Sequence, residues 1–176
     1  MTPKLIVTGM MGTGKSSVGP LVAKRLGWKF ADSDTEIVAR SGKPIARIFQ
    51  KYGEAHFRAL ERGVIARLAG NPEPAVIATG GGALTDPATA TALAHAGTII
   101  CLTARPEVIA ARVEKSKSKR PKLAEGGKLL LDRIKELMAE RAEAYSRADL
   151  QIDTSELTIQ EAADRVIAEF KAKAEV

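Results

Sequence analysis

Short apolar runs alternate with longer amphipathic stretches along this chain. "KLIVTG" (4–9) has the unbroken apolar start of a strand covered on both faces. A helix is predicted from Gly14 to Leu26, and "KFAD" (29–32) is a weaker second strand. Helical periodicity covers 33–41, then 44–51 with Pro44 at the first turn, then 53–69. "AVIAT" (75–79) is a third strand, and a helix over 86–96 leads to a fourth, "TIICL" (98–102). Helices follow at 105–115 and 128–147. "LQID" (150–153) is a fifth strand and 158–173 a closing helix. Strands separated by helices predict a parallel sheet with right-handed crossovers and helices on both faces. Ligands of such sheets bind beyond the carboxyl ends of the strands.

Composition narrows this to one domain. The chain has 176 residues, and its 45% hydrophobic content fills a core without disulfides. Cys101 is the single cysteine, which excludes an internal disulfide and fits a reducing compartment. The first residues lack a signal-peptide pattern, and no apolar run approaches the ~20 residues of a membrane span. A cytoplasmic protein without membrane partners is expected. The formal net charge of +6 suits either nucleic acid or an anionic small molecule. Aromatics at 4% leave little for base stacking, so the small molecule is favoured over nucleic acid, and a monomer is expected.

The chemistry begins after the first strand. "GMMGTGKS" (9–16) satisfies G-x-x-x-x-G-K-[ST] between a strand and a helix. Glycines let the backbone wrap an anion, and successive N–H groups at a positive helix end favour it. Lys15 supplies a point charge to the β- and γ-phosphates, and the Ser16 hydroxyl suits Mg²⁺. The loop is therefore predicted to hold a nucleoside triphosphate, against the alternative of a glycine-rich turn with a solvated lysine.

The remaining candidates are individually ambiguous. Asp32 and Asp34 in "ADSD" stand at a strand end. One can face the metal's water shell while the other orients or deprotonates an acceptor hydroxyl. The alternative is a helix cap supplied by Ser33 or Asp34. Gly80, Gly81 and Gly82 suggest close backbone approach to a ligand, or a simple turn. Arg58 suits bidentate capture of a carboxylate, though by itself it reads as a surface arginine paired with Glu54 or Glu61. "KSKSKRPK" (115–122) carries five positive charges, with Pro121 and "EGG" (125–127) opposing a continuous helix. It reads as a mobile lid delivering an arginine, or as a solvated basic loop. His56 and His95 have no partner pattern; Trp28 and Cys101 read as core.

Taken in order, "GMMGTGKSSVG", "FADSDTEI", "IFQKYGEAHFRALE", "ATGGGAL", "KRPKL" and "LMAERAEAYSRADLQIDT" resemble a shikimate kinase over nearly the whole chain. The resemblance implies a three-layer α/β P-loop NTPase fold, a five-stranded parallel sheet with helices on both faces and a mobile lid over about 115–127. It also implies a substrate region over about 33–61. The implied reaction transfers the ATP γ-phosphoryl group to the shikimate 3-hydroxyl, a step of aromatic amino acid biosynthesis. Gly12, Thr13, Gly14, Lys15, Ser16 and Ser17 would bind ATP phosphates, with Ser16 and Asp32 on the Mg²⁺ side. Asp34 would hold the shikimate hydroxyls and assist the attacking one. Arg58 and Arg141 would clamp its carboxylate, and Gly80, Gly81 and Gly82 would line it. Arg120 would close on the phosphates and Arg112 would stack near adenine.

Two positions depart from the family pattern. The lid reads "RPKL" where "RPLL" is frequent, placing Lys122 near the phosphates or in solvent. The loop "DTSELT" (153–158) lacks the basic residue often found there, so adenine contacts would fall to the backbone. Two rival functions remain. A gluconate kinase would share the phosphate loop without needing the "DSD", "FR" and "GGG" set. A non-catalytic nucleotide-binding module would use its basic segment on another partner.

Overall fold

The computed structural model describes residues 3–116 and 129–174. Five strands, β1 (Lys4–Gly9), β2 (Lys29–Asp32), β3 (Ala75–Ala78), β4 (Thr98–Thr103) and β5 (Leu150–Asp153), form one sheet in the order β2-β3-β1-β4-β5. Every pairing is parallel, with Ile6 of β1 opposite Ile77 of β3 and Ile99 of β4. The helices are α1 (Lys15–Leu26), α2 (Ser33–Ser41), α3 (Ile45–Gly70), α4 (Pro87–Ala96), α5 (Pro106–Lys115), α6 (Leu130–Tyr145) and α7 (Ile159–Ala174).

The two-residue period of the strands creates the three layers. Ile6, Ile99 and Cys101 enter a cluster with Leu93 of α4, Ile109 of α5 and Ile134 and Leu137 of α6. Leu5, Val7, Ile100 and Leu102 turn the other way and meet Val18 and Val22 of α1 and Val166 and Phe170 of α7. A third cluster joins Ile37, Ile48, Phe57 and Val64 of α2 and α3 to Ile77. Leu5, Ile6 and Val7 have no exposed surface, so each side chain contributes about 1.5–3 kcal/mol by burial. β1 therefore reads as a continuous apolar run: both of its faces are covered.

Local signals explain the boundaries. The helical stretches expected at 44–51 and 53–69 are joined as α3, with a break at Gly53, whose φ of 81° favours glycine. Pro44 lies just before α3, not in its first turn. α4 starts at Pro87 behind Asp86, whose side chain accepts the Thr89 N–H. Periodicity does not signal the 3-10 turn at Ala83–Thr85. α6 is shorter than the expected 128–147, and the lid segment lies outside the described residues from 117 to 128. Among the described residues no helix is long and apolar enough to cross a membrane.

Candidate active site

Because all strands run the same way, their carboxyl ends share one edge of the sheet. Gly9, Asp32 and the residues after Ala78 therefore come together without further instruction from the sequence. The glycine loop leaves β1 there. Gly9 has φ 130° and lies so close to β4 that a Cβ would stand 2.1 Å from the Leu102 carbonyl oxygen. Gly12 and Gly14 also have positive φ, and Gly14 caps α1. Lys15 folds across the loop, its Nζ donating to Gly9 O at 2.7 Å and Met10 O at 2.9 Å. The Thr13 hydroxyl donates to Met10 O at 2.7 Å. Ser16 and Ser17 open the helix on its exposed side.

The acidic pair divides as two different groups. Asp32 Oδ1 accepts the Thr35 N–H at 2.9 Å and caps α2. The cap is thus Asp32, not Ser33 or Asp34: the chain is still extended at Asp32 (φ −113°, ψ 121°) and already helical at Ser33. Ser33 is buried and its Oγ accepts the Gly80 N–H at 3.3 Å. Asp34, one residue into the helix, points to the glycine turn, its Oδ1 2.9 Å from where a Gly80 Cβ would lie.

Arg58 makes both ion pairs that a surface arginine would make, to Glu54 Oε1 at 3.2 Å and Glu61 Oε2 at 2.5 Å. It is nevertheless not a surface residue. Its side chain is 14% exposed, and Glu61 is 1% exposed. Burial raises the Glu61 carboxyl above its ordinary range, opposed by Arg58 and assisted by the negative charge of Asp34. Glu61 Oε1 is buried with no hydrogen-bond partner among the described residues, 3.3 Å from the Gly80 Cβ position. The Arg58 guanidinium keeps a raised pKa because its two carboxylates outweigh desolvation.

Arg141 approaches from α6 and is 7% exposed. Its Nη1 lies 3.5 Å from Met10 Sδ and 2.8 Å from a Gly81 Cβ position. Tyr145, one helical turn on, donates its hydroxyl to Gly81 O at 2.7 Å and also bonds Arg141. Burial raises the Tyr145 pKa, so the phenol keeps its proton for that bond. The glycine turn is tightly built, not a loose connection. Gly80 O accepts the Ala83 N–H at 3.1 Å, and Gly82 O accepts the Thr85 N–H at 3.1 Å and its hydroxyl at 2.6 Å.

Arg112 lies on the far side of the phosphate loop, bonded to Gly12 O at 3.2 Å, Thr154 Oγ1 at 3.1 Å and Thr154 O at 2.7 Å. The loop 153–158 has no cation of its own, but Arg105 from the β4–α5 connection pairs with Glu156 and donates its N–H to Ser155 Oγ at 2.8 Å. Arg120 and Lys122 lie outside the described residues. His56 and His95 are exposed; Cys101 is buried, its thiol pushed up to about 12 by burial. Trp28 is partly buried, edge-on to Phe170.

Residue periodicity alone missed Tyr145 and Thr154 and gave Glu61 no role beyond pairing. The spacing of Arg141 and Tyr145 by four places them on one helix face, a signal that was available. Thr154 has no local signal, since its contacts come from 141 and 51 residues away.

A glycine loop at the head of a five-stranded parallel sheet, with carboxylates and arginines gathered at the same edge, defines an ATP-dependent P-loop kinase. The family model described as shikimate kinase matches residues 11–171, and the chain belongs to the shikimate kinase family. A shikimate kinase of Caldanaerobacter subterraneus subsp. tengcongensis is 42% identical over 166 residues, covering 94% of this chain and 95% of the relative. One of Geobacter sulfurreducens is 43% identical over 157 residues, 89% of this chain and 84% of the relative. The solved shikimate kinase of Acinetobacter baumannii in complex with shikimate superposes with a TM-score of 0.90 at 30% identity, over 98% of this chain and 95% of that one. A gluconokinase of Sinorhizobium meliloti, 20% identical with a TM-score of 0.63 over 98% of this chain and 94% of that one, shares the fold alone.

Proposed function

We propose that this chain transfers the γ-phosphoryl group of ATP to the 3-hydroxyl of shikimate, giving shikimate 3-phosphate and ADP. The observation that carries this reading is the convergence of Arg58 and Arg141 on the same three-glycine turn that Asp34 faces. Two guanidinium groups suit a carboxylate, and a carboxylate facing the same turn suits a hydroxyl. A small hydroxylated acid presents both. The carbonyls of Gly80 and Gly82 are engaged within the turn and that of Gly81 by the Tyr145 hydroxyl, so the amide donors of Gly81 and Gly82 are the natural backbone contacts to the acceptor.

Catalysis in this reading is positioning and charge stabilisation. Asp34 accepts the hydrogen bond of the attacking hydroxyl, aims its oxygen at the γ-phosphorus and takes the proton as the new bond forms. Lys15 leaves the loop carbonyls to meet the β- and γ-phosphates. Arg120 is assigned to the transferred group by the family pattern. Arg112 uses its guanidinium edges on Gly12 and Thr154, which leaves the planar faces for an adenine ring. Ser16, in the first turn of α1, and Asp32, at the carboxyl end of β2, are oxygen donors whose chemistry fits Mg²⁺, which when bound would neutralise charge on the phosphates. The enzyme works as a cytoplasmic monomer on small molecules.

The test is ADP release by the purified protein with Mg-ATP, alone and with shikimate or gluconate. Stimulation by shikimate only is expected. A protein that binds ATP but responds to gluconate, or to neither acid, rejects the acceptor assignment.

A further inference from the structure

Thr154 stands just after β5, far in sequence from the phosphate loop, and is 2% exposed. Its hydroxyl lies 2.9 Å from Thr13 O and 3.0 Å from Thr103 O. Thr103 O already receives the Thr154 N–H at 2.8 Å, so the single hydroxyl proton is better placed on Thr13 O. The same oxygen accepts from Arg112 Nη1, whose Nη2 is held by the Thr154 carbonyl. Arg112 Nη1 in turn reaches Gly12 O at 3.2 Å. Two consecutive carbonyls of the phosphate loop are therefore tied down from outside by one threonine and the arginine it orients.

The consequence follows from peptide geometry. In a planar trans peptide the C=O and N–H point in opposite directions. Holding Thr13 O against Thr154 turns the Gly14 N–H the other way. Holding Gly12 O against Arg112 fixes the neighbouring peptide plane, whose Thr13 N–H closes the loop on Met10 O at 3.4 Å. Both glycines have positive φ, the conformation in which such a loop has most freedom to turn its peptides. An anion site made of backbone donors works only if those donors are already aimed.

We propose that Thr154 is a positioning residue of the nucleotide site: its hydroxyl fixes the peptide planes of Gly12–Gly14 and so aims the Gly14 N–H at phosphate. This rests on reading the loop as the ATP site, not on the identity of the acceptor. Thr154 touches no reacting atom. Its effect falls on nucleotide affinity, and the acceptor pocket, built on Arg58, Arg141 and Asp34, is untouched.

The experiment is calorimetric titration of Mg-ADP and, separately, of shikimate into the wild-type protein, Thr154→Val and Thr154→Ser, with thermal melts of each. Thr154→Val keeps the branched shape without the hydroxyl and is expected to weaken ADP about tenfold. Thr154→Ser keeps the hydroxyl and is expected to bind ADP within about twofold of wild type, with shikimate affinity unchanged in both. Should the valine variant not fold, Thr154→Ala removes the same hydroxyl without a branch. Wild-type ADP affinity without the hydroxyl, equal weakening of both ligands, or a serine variant as weak as the valine one would each overturn the proposal. Wild-type protein that binds ADP but not shikimate leaves this test intact while rejecting the acceptor; wild-type protein that binds no ADP overturns both.

Discussion

Arg58 lies against Gly82 so closely that a methyl group on the glycine would sit 2.5 Å from its Nη2. The glycine has φ −102°, a backbone any residue adopts, so its lack of a side chain serves the arginine and not the turn. Gly82→Ala should fold normally, because the atom it meets is the end of a flexible chain. The displaced guanidinium should raise the acceptor KM by on the order of tenfold to a hundredfold, with the ATP KM unchanged. Steady-state kinetics at varied shikimate checks this. An unchanged acceptor KM would separate Arg58 from the acceptor.

Glu61 holds that arginine from the other side and gives the site a pH signature. Burial raises its folded-state pKa, and Arg58 only partly offsets this. A group with a raised folded pKa favours the folded state most below its unfolded value and loses that contribution as pH rises through the folded value. Arg58, Asp34 and Asp86 are the charges acting on it. Glu61→Gln removes the ionisation. The melting temperature of Glu61→Gln minus that of wild type should therefore become more positive as pH rises above the ordinary glutamate value of 4.5. A flat or falling difference contradicts the raised pKa.

How much of this was legible in the sequence differs from residue to residue. The apolar runs of β1, β3 and β4 gave the sheet because their side chains are buried on both faces, and the glycine loop gave the nucleotide edge. Arg58 could not be read locally. Its i,i+3 and i,i+4 carboxylates make an ordinary helix-surface pattern, and only the tertiary approach of Gly82 turns it inward. Asp32 and Asp34 were legible as a pair, but not which would cap, because that depends on where the extended backbone ends. Thr154 was silent for the same reason: side chains that fix another segment's carbonyls leave no periodic trace.

Tyr145 couples the second arginine to the glycine turn. Tyr145→Phe removes the bond to Gly81 O and the contact with Arg141 while preserving the ring in the core. The expected cost is about 1–2 kcal/mol of stability, read by denaturant unfolding, together with a raised acceptor KM. Loss of stability with an unchanged acceptor KM would show that the hydroxyl supports only the turn.

Asp34 faces the glycine turn and is the carboxylate proposed to meet the attacking hydroxyl. Asp34→Asn conserves volume and hydrogen-bonding reach but removes the base. Turnover should fall by roughly a hundredfold to ten-thousandfold with shikimate affinity nearly kept. Near-normal kcat in a folded variant removes Asp34 from the chemistry.

Asp32 has a structural task that the geometry shows and a metal-side task that is proposed, and one pair of variants separates them. Asparagine is as good a cap as aspartate, so Asp32→Asn should retain the bond to the Thr35 N–H and melt like wild type. Asp32→Ala should lose about 1 kcal/mol of stability. If the carboxylate also faces the metal's waters, both variants should need several times more Mg²⁺ for half-maximal turnover, since both lack the charge that attracts a cation. An asparagine variant with wild-type Mg²⁺ dependence, beside an alanine variant that is merely less stable, would leave Asp32 as a helix cap and nothing more. The metal would then be held on the protein side by Ser16.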